Sequence, residues 1–348
     1  MFSILRPFLF KLDPEIAHDL AIKSLKHDYL PSKLFEVDNE EVLNIKVFGK
    51  NFPNPIGLAA GFDKSAEVYN ACFKIGFGFV EVGTVTPKKQ FGNTKPRLFR
   101  LTEDRALINR LGFNNDGMVE VKNRIASNEK RGILGINIGP NKETLNQIDD
   151  FSLCLKELNN LADYITINIS SPNTEGLRDF HKRENLKNLI KNLVEPFKNK
   201  NEDSVLLLKI SPDINNEEVQ VIAEILLSME INGLVVSNTT TQNRDKLKSS
   251  LRDEKGGLSG RPLEDISTNL ISKFYRLIGK KIPIIGVGGV YSAESAYKKI
   301  LAGASLLQLY TGLIFEGPFL IKNIKKDLIQ MVQEDGFKNI KDAIGKRS

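Results

Sequence analysis

The chain has 348 residues, of which 41% are hydrophobic and 26% charged, and its 49 basic against 43 acidic side chains give a net charge of +6. These totals are those of an ordinary globular protein, with a length that allows about two domains. With only two cysteines, a disulfide framework is excluded, and the three histidines lack the spacing of metal ligands. The sequence contains no run of about 18 apolar residues, the length needed to cross a bilayer. The excess of basic residues is compatible with a solvated lysine-rich surface, with binding of nucleic acid and with attraction to anionic lipid. The composition alone does not distinguish these three possibilities.

Residues 1–30 predict two short helices that differ from the rest of the chain. The first is the very apolar stretch from Phe2 to Phe10, and the second opens with Asp13 as N-cap and Pro14 at the first helical position, with Pro31 as its limit. One side of the second helix is expected to be apolar, with Ile16, Ala17, Leu20, Ala21, Ser24 and Leu25. Such helices need a partner surface, which is either the main domain or one membrane leaflet that they enter without spanning it.

From about residue 45, apolar strands alternate with helix-like stretches. Strands are predicted at 55–60, 78–84, 133–138, 164–169, 205–210, 233–238, 283–287 and 305–310, and helices at 64–75, 115–130, 150–162, 184–198, 216–229, 264–279, 292–301 and 318–333. This rhythm favours a (β/α)8 TIM barrel, an α/β fold, over a doubly wound sheet, because no GxGxxG opens the first βα turn. We therefore predict an N-terminal helical segment over residues 1–38 and a barrel over residues 39–340.

Two insertions interrupt this rhythm, at residues 85–113 and 239–262. Both follow the C-terminal end of a predicted strand, on the face where barrel active sites are built. We interpret them as lids or walls of a pocket.

Polar residues stand where four of these strands end. The segment Asn168 to Thr174 (NISSPNT) follows the fourth strand, and the third, fifth and sixth strands end in Asn137, Lys209 and Asn238. The C-terminal ends of barrel strands meet on one face, so these side chains predict one shared site. Because amides both donate and accept hydrogen bonds, they favour a flat heterocycle over an open-chain sugar as ligand.

The loops after three other strands add to this site. Residues 59–64 (AAGFDK) let a backbone approach a flat ligand and supply the cation of Lys64, while Asp63 is better explained as a helix cap than as a catalytic group. The glycine-bearing loops 286–289 and 310–312, with a helix beginning near Ser292, predict a phosphate site. Lys209 would then form a Schiff base or hold negative charge on a cofactor, and the surrounding amides favour the second role.

The ordered motifs resemble those of the membrane-associated, quinone-dependent (class 2) dihydroorotate dehydrogenases over nearly the whole chain. The matching segments are Leu12 to Glu15 with His18, Gly57 to Lys64, Gly83 to Pro87, Lys95 to Arg100, Asn109 to Asn115, Gly135 to Gly139, Asn168 to Thr174, Ser237 to Thr240, Gly256 to Pro262 and Ile284 to Gly289. Serine at position 171 fits this class, because the soluble class 1 relatives have cysteine at the matching position.

The resemblance implies roles for particular residues. The FMN ligands by position are Ala60, Gly61, Phe62, Asp63, Lys64, Thr84, Asn137, Asn168, Lys209, Ser237, Gly260, Gly289, Tyr310 and Thr311. Dihydroorotate would contact Lys64, Asn109, Arg110, Leu111, Gly112, Phe113, Asn168, Asn173, Asn238 and Thr239. Ser171 would be the base that takes the C5 proton as hydride leaves C6, and His18 and Arg97 would line a quinone tunnel.

The same resemblance implies partners and a location. It predicts oxidation of dihydroorotate to orotate in pyrimidine biosynthesis, with a membrane quinone as acceptor, by a monomer held at the cytoplasmic face of a bacterial inner membrane through its N-terminal helices. It implies no nucleic-acid partner. The competing hypotheses are another FMN barrel, such as a tRNA dihydrouridine synthase that would use the basic surface, and a non-catalytic, membrane-peripheral barrel that binds phosphate.

Overall fold

The computed structural model describes residues 2–27, 31–198, 205–229 and 231–348. Within these ranges eight parallel strands close into a barrel in sequence order, which confirms the predicted fold. The barrel strands are β1 (Ile56–Leu58), β2 (Phe79–Val85), β3 (Ile133–Ile138), β4 (Tyr164–Asn168), β5 (Leu206–Ile210), β6 (Gly233–Val236), β7 (Ile284–Val287) and β8 (Leu306–Leu309). Each lies inside or within one residue of its predicted range.

Helices cover the outside of the barrel and bury its apolar strands. They span Tyr69–Lys74, Met118–Ala126, Gln147–Leu158, Arg183–Lys198, Asn216–Ser228, Glu264–Ile278, Ala293–Leu301 and Leu320–Glu334, with a short additional helix, Thr311–Glu316, directly after β8. Single 3-10 turns lie at Ser32–Phe35, Glu40–Leu43, Asn159–Leu161, Leu177–His181, Arg261–Leu263, Gly279–Lys281 and Ile340–Ala343. Cys72 and Cys154 are buried on two of these helices, as small core residues.

The helix predicted to begin at residue 64 begins at Tyr69 instead. Asp63 accepts hydrogen bonds from the backbone N–H groups of Glu67 and Val68, both at 2.8 Å, and Ala66 has a φ of 57°. A residue in this left-handed region interrupts a right-handed helix, so Asp63 holds the turn that leads into the helix.

The barrel interior is built in layers, because alternate residues of each strand point inward. At the N-terminal end the rings of Phe79 and Tyr164 fill the barrel, and Phe52 from the hairpin Ile45–Val47 and Lys50–Phe52 packs edge-on against Phe79. Gly135 is required at this level, because a Cβ atom there would lie 2.1 Å from the Tyr164 ring. Polar side chains occupy the layers above, toward the C-terminal ends of the strands.

The two insertions together form one structure, a three-stranded antiparallel sheet. Strands Leu98–Leu101 and Ala106–Asn109 come from the first insertion, and Gly257–Gly260 from the second pairs with Ala106–Asn109. A small separate cluster of buried residues stabilises this sheet, namely Phe99, Leu101, Ala106, Ile108, Leu247 and Leu258. This wall sheet, as we call it, stands over the C-terminal face of the barrel and confirms that the insertions are walls.

The N-terminal helices α1 (Phe2–Leu9) and α2 (Pro14–Lys26) pack on the wall sheet and on the helix Thr311–Glu316. Asp13 caps α2 as predicted. Of the residues predicted to share one side of α2, Ala17, Ala21, Ser24 and Leu25 line the cavity beneath the helix, whereas Ile16 and Leu20 are exposed. The apolar face is wider than the surface beneath it, so these two side chains lie outside the contact. Residues 1 and 28–30 of the predicted N-terminal helical segment lie outside the described residues.

Candidate functional site

A pocket opens at the C-terminal ends of the barrel strands and is closed on one side by the wall sheet. Most of the predicted site residues line it, which confirms that the strand ends meet in one place: Ala60, Gly61, Lys64, Thr84, Asn109, Leu111, Gly112, Phe113, Asn168, Ser171, Asn173, Lys209, Ser237, Asn238, Thr239, Gly260, Gly289, Tyr310 and Thr311. The wall sheet contributes Leu98, Leu107 and Ser259 in addition.

Four predicted residues lie outside the pocket lining. Phe62 lies in the wall of an adjoining apolar tunnel, and the Asp63 carboxylate is occupied by the turn before the helix. The Arg110 guanidinium pairs with Glu254 at 2.8 Å and covers the ring of Phe99, 4.5 Å from its centroid. Asn137 lies one layer below the pocket and reaches it only through its neighbours.

Amides and hydroxyls beneath the pocket form a continuous hydrogen-bonded chain. The Asn137 Oδ1 atom accepts from Thr84 Oγ1 at 2.7 Å and from Asn168 Nδ2 at 3.1 Å. Asn168 Oδ1 accepts in turn from the Ser170 hydroxyl at 2.7 Å, and Asn238 Nδ2 donates to that hydroxyl at 2.8 Å. These side chains are therefore held in fixed orientations, which is what recognition of a planar polar ligand requires.

Two lysines, the partly buried Lys64 and the buried Lys209, give the pocket positive charge. Loss of hydration is the largest of the causes that together lower the pKa of Lys64 to about 8; the charge of Glu15 opposes this shift and that of Arg97 contributes to it. Burial likewise lowers the pKa of Lys209, which is only 5% exposed. A cation that has already lost its water binds a carboxylate or an anionic ring with little further desolvation cost.

Ser171 lies in the loop that follows β4, with its side chain 5% exposed in the pocket wall. Its Oγ atom accepts a hydrogen bond from the backbone N–H of Asn173 at 3.2 Å. That donor stabilises negative charge on the oxygen, which is the state a hydroxyl needs in order to accept a proton.

At one end of the pocket, backbone segments approach each other closely around Gly260, Gly289 and Thr311. Gly289 has a φ of 72°, and a Cβ atom there would lie 2.4 Å from the backbone N of Glu264. Across this end, Ser259 Oγ lies 2.8 Å from Thr311 Oγ1. The turn predicted from the glycines is thus present, and Gly260, Gly289 and Thr311 all line this end of the pocket.

An apolar tunnel of about 260 Å³ runs between the N-terminal helices and the barrel. Its walls include Ala17 and His18 of α2, and it shares three lining residues with the pocket, namely Leu98, Leu107 and Tyr310. The imidazole of His18 packs edge-on against Phe62, with 5.4 Å between the ring centroids. Burial lowers the pKa of His18 to about 3, helped by Lys64, so the ring is neutral.

Arg97 fastens α2 to the barrel at the inner end of this region. Its guanidinium is 6% exposed and binds both carboxylate oxygens of Glu15, at 2.6 and 3.1 Å. Burial raises the pKa of Glu15, but the bonds and charges of Arg97 and Lys95 outweigh it and lower that pKa. Arg97 borders a polar cleft that also contains His18 and Lys64, rather than the apolar tunnel itself.

The sequence analysis missed Glu81, which lies in the centre of β2 and is fully buried. Its carboxylate accepts hydrogen bonds from Asn137 at 2.9 Å, Thr166 at 3.0 Å and Gln308 at 2.9 Å. A charged residue inside an otherwise apolar strand was the available signal, because buried carboxylates occur almost only with partners.

Within the described part of the chain, no cluster of three or more His, Cys, Asp or Glu side chains could hold a metal ion. The helices in those same ranges are all too short or too polar to cross a membrane.

A parallel barrel with amides, lysines and a serine gathered at the C-terminal ends of its strands defines a (β/α)8-barrel enzyme. The chain belongs to the dihydroorotate dehydrogenase family, whose model matches residues 42–332. It is 48% identical over 342 residues to the dihydroorotate dehydrogenase (quinone) of Bartonella tribocorum, which covers 97% of this chain and 94% of the relative. The corresponding protein of Idiomarina loihiensis is 48% identical over 335 residues, or 94% of this chain and 100% of the relative.

Solved structures give the same result. The crystal structure of DHODH from Eimeria tenella in complex with ferulenol superposes with a TM-score of 0.91 at 39% identity, covering 96% of this chain and 95% of that one. The ligand-free form from the same organism has a TM-score of 0.91 at 40% identity. Membership of this family makes the chain an oxidoreductase, and the curated relatives extend over the N-terminal helices that precede the family model.

Proposed function

We propose that this protein oxidises (S)-dihydroorotate to orotate for pyrimidine (UMP) biosynthesis, with FMN as cofactor and a membrane quinone as electron acceptor. The observation that carries the proposal is that two different cavities lie next to each other: a polar pocket with Ser171 and two lysines, and an apolar tunnel that shares the lining residue Tyr310 with it. A water-soluble substrate and a lipid-soluble acceptor need such different entrances to one site. The names of the curated relatives support both partners.

The pocket fits FMN in its chemistry. Small residues at Ala60 and Gly61 leave room for a flat ring, the end around Gly289 and Thr311 leaves room for a phosphate, and Lys209 supplies a buried cation. When bound, FMN would supply the two-electron acceptor that no side chain of the protein provides. The residues that contact the ring would be Thr84, Asn168 and Ser237, with Asn137 holding Thr84 and Asn168 from below. Phe62 and Asp63 would support the turn beside them.

The remaining chemistry falls to side chains of the protein. The pocket-lining amides Asn109, Asn173 and Asn238 would hold the pyrimidine ring, and Lys64, which is largely protonated at pH 7, would neutralise the substrate carboxylate. Ser171 Oγ would take the proton from C5 while the hydride from C6 passes to the cofactor, so that each turnover removes one proton and one hydride, and the hydride carries both electrons. Lys209 would stabilise negative charge that appears on the cofactor.

Electrons would leave through the apolar tunnel to the quinone, past His18. Because His18 is neutral, it imposes no charge on a neutral quinone. The apolar residues Leu5, Phe8, Leu12, Ile16 and Leu20 of the N-terminal segment are exposed and would rest in the lipid. Their exposure supports the proposal that the protein is a monomer bound peripherally to the cytoplasmic face of a bacterial inner membrane.

The direct test is anaerobic mixing of the purified yellow protein with dihydroorotate, followed by a ubiquinone analogue. Flavin absorbance should bleach in the first step and return in the second. A colourless preparation that cannot take up FMN would contradict the proposal. Strongly salt-dependent RNA binding without oxidation of dihydroorotate would instead favour the dihydrouridine synthase alternative.

Ser171→Ala tests the proton-transfer role. We expect reduction of the flavin by dihydroorotate to slow by about 10²- to 10⁴-fold, the usual effect of losing a positioned base. Reoxidation by quinone should be little changed, because no proton is taken from C5 in that half-reaction. Rapid-mixing absorbance separates the two halves, and equal slowing of both would remove Ser171 from this role.

A further inference from the structure

Glu81 is a buried carboxylate that no step of the proposed mechanism uses. It projects from β2 into the barrel axis, and partners from three other strands converge on it: Asn137 of β3, Thr166 of β4 and Gln308 of β8. All of these side chains are fully buried. A charge in such a place is costly unless every lone pair is used, so its presence calls for an explanation.

The hydrogen bonds around Glu81 all have one direction, because its two carboxyl oxygens accept from Asn137, Thr166 and Gln308. Asn137 must therefore turn its NH2 group down toward Glu81 and its carbonyl oxygen up, where Thr84 and Asn168 both donate to it. The NH2 group of Asn168 therefore points toward Asn137, to which it donates. Its own carbonyl oxygen faces the opposite way and accepts from the Ser170 hydroxyl.

We propose that Glu81 is a positioning residue that sets which pocket side chains donate and which accept, acting through Asn137 on Thr84 and Asn168. The inference rests on the proposed function, since the orientation matters for the edges of FMN and dihydroorotate. Without the acceptor below it, Asn137 can turn its amide over, and Thr84 and Asn168 lose their common acceptor. The pocket would then present the wrong donor and acceptor pattern to a ring that fits only one.

Glutamine at position 81 should preserve the orientation even though it removes the charge. Its carbonyl oxygen can still accept from Asn137, which leaves its NH2 group toward Gln308. The Oε1 atom of Gln308 is buried without a hydrogen-bond partner, so this residue can turn over and accept the new donor. Methionine has a similar volume but no strong acceptor, so Glu81→Met removes the constraint and Glu81→Gln keeps it.

The experiment compares FMN affinity of the full-length apoprotein, measured by flavin fluorescence, with the rate at which dihydroorotate reduces the reconstituted protein. We expect Glu81→Met to weaken FMN binding and to slow reduction by about tenfold or more each, as for a buried donor left without an acceptor. Glu81→Gln should stay within about twofold of wild type, and so should Thr166→Val, the control that removes a different partner of Glu81.

A double variant distinguishes the positioning role of Glu81 from a purely structural role. If Glu81 acts through Asn137, adding Glu81→Met to Asn137→Ser should change FMN affinity no further, while thermal stability should fall with each substitution. Losses of affinity that add in the double variant would overturn the inference.

Two further results would also overturn it. One is a folded Glu81→Met protein that binds FMN and is reduced like wild type. The other is a tenfold or greater loss of FMN affinity in Glu81→Gln or Thr166→Val, because one buried donor left without an acceptor costs about tenfold. This second test can be made even if the Glu81→Met protein does not fold. Wild-type protein that takes up no FMN would instead refute the proposed function itself.

Discussion

At the scale of single residues, buried groups that must stay neutral make stability depend on pH. His181 is 2% exposed and accepts a hydrogen bond from the backbone N–H of Ser211 at 3.4 Å. Burial lowers its pKa to about 4, and the charge of Arg178 acts in the same direction. Between that value and the ordinary value of 6.5, the unfolded chain binds a proton that the folded chain does not. The contribution of neutral His181 to the free energy of unfolding is therefore fully present above pH 6.5 and is lost as the pH falls toward about 4.

His181→Gln should remove this dependence, since glutamine can still accept from Ser211 but does not titrate. At pH 5 the contribution of His181 corresponds to a loss of about 2 kcal/mol in the free energy of unfolding relative to neutral pH. Urea titrations of both proteins at pH 7.5 and pH 5 measure it. The difference between the two pH values should be smaller in the variant, and an equal difference would show that His181 is protonated in the folded state.

At the scale of elements, α2 forms one wall of the apolar tunnel, and a larger side chain there should obstruct it. Ala17→Phe places a ring among the residues that line the tunnel, and overpacking of this kind typically costs about 1–3 kcal/mol, which corresponds to about 5- to 150-fold in an equilibrium constant. We expect turnover with quinone to fall by that factor while anaerobic reduction by dihydroorotate is unchanged. The matched control is Leu20→Phe, on the exposed side of the same helix.

Stopped-flow measurement of both half-reactions in the two variants checks this prediction. If Ala17→Phe left reoxidation by quinone as fast as in wild type, the tunnel would not be the route of the acceptor. If Leu20→Phe slowed reoxidation equally, the effect would come from the position of α2 rather than from the space that it borders.

At the scale of the whole molecule, a cofactor that binds only the folded barrel should raise its stability by mass action. FMN at about 100 times its dissociation constant should add about 2.7 kcal/mol to the free energy of unfolding. Riboflavin at the same concentration should add much less, because it lacks the phosphate that the space around Gly289 would hold. Thermal unfolding of the apoprotein with each ligand tests this, and equal stabilisation by both would contradict the phosphate site.

The fold and most of the pocket were predictable because both follow from local patterns. The polar residue that ends a strand, such as Asn168 or Lys209, can be recognised in the sequence because it follows an apolar run. The barrel fold then brings these strand ends together in one pocket. Glu81 was missed because its partners come from other strands and only the closed barrel makes them neighbours. The outward position of Leu20 could not be predicted either, since the width of the surface under α2 is a property of the folded wall sheet.

The wall sheet also has a consequence for the order in which the protein is made. Asn109 and Gly257 are paired in it but are 148 residues apart in the chain. At a synthesis rate of roughly 5–20 residues per second, the first two strands of the sheet wait roughly 7–30 seconds on the ribosome for the third. Protease protection of ribosome-bound chains of increasing length would show residues 98–109 becoming resistant only after residue 260 has left the exit tunnel. A nascent chain therefore has all three strands of the wall sheet before β7 and β8 emerge to close the barrel beneath it.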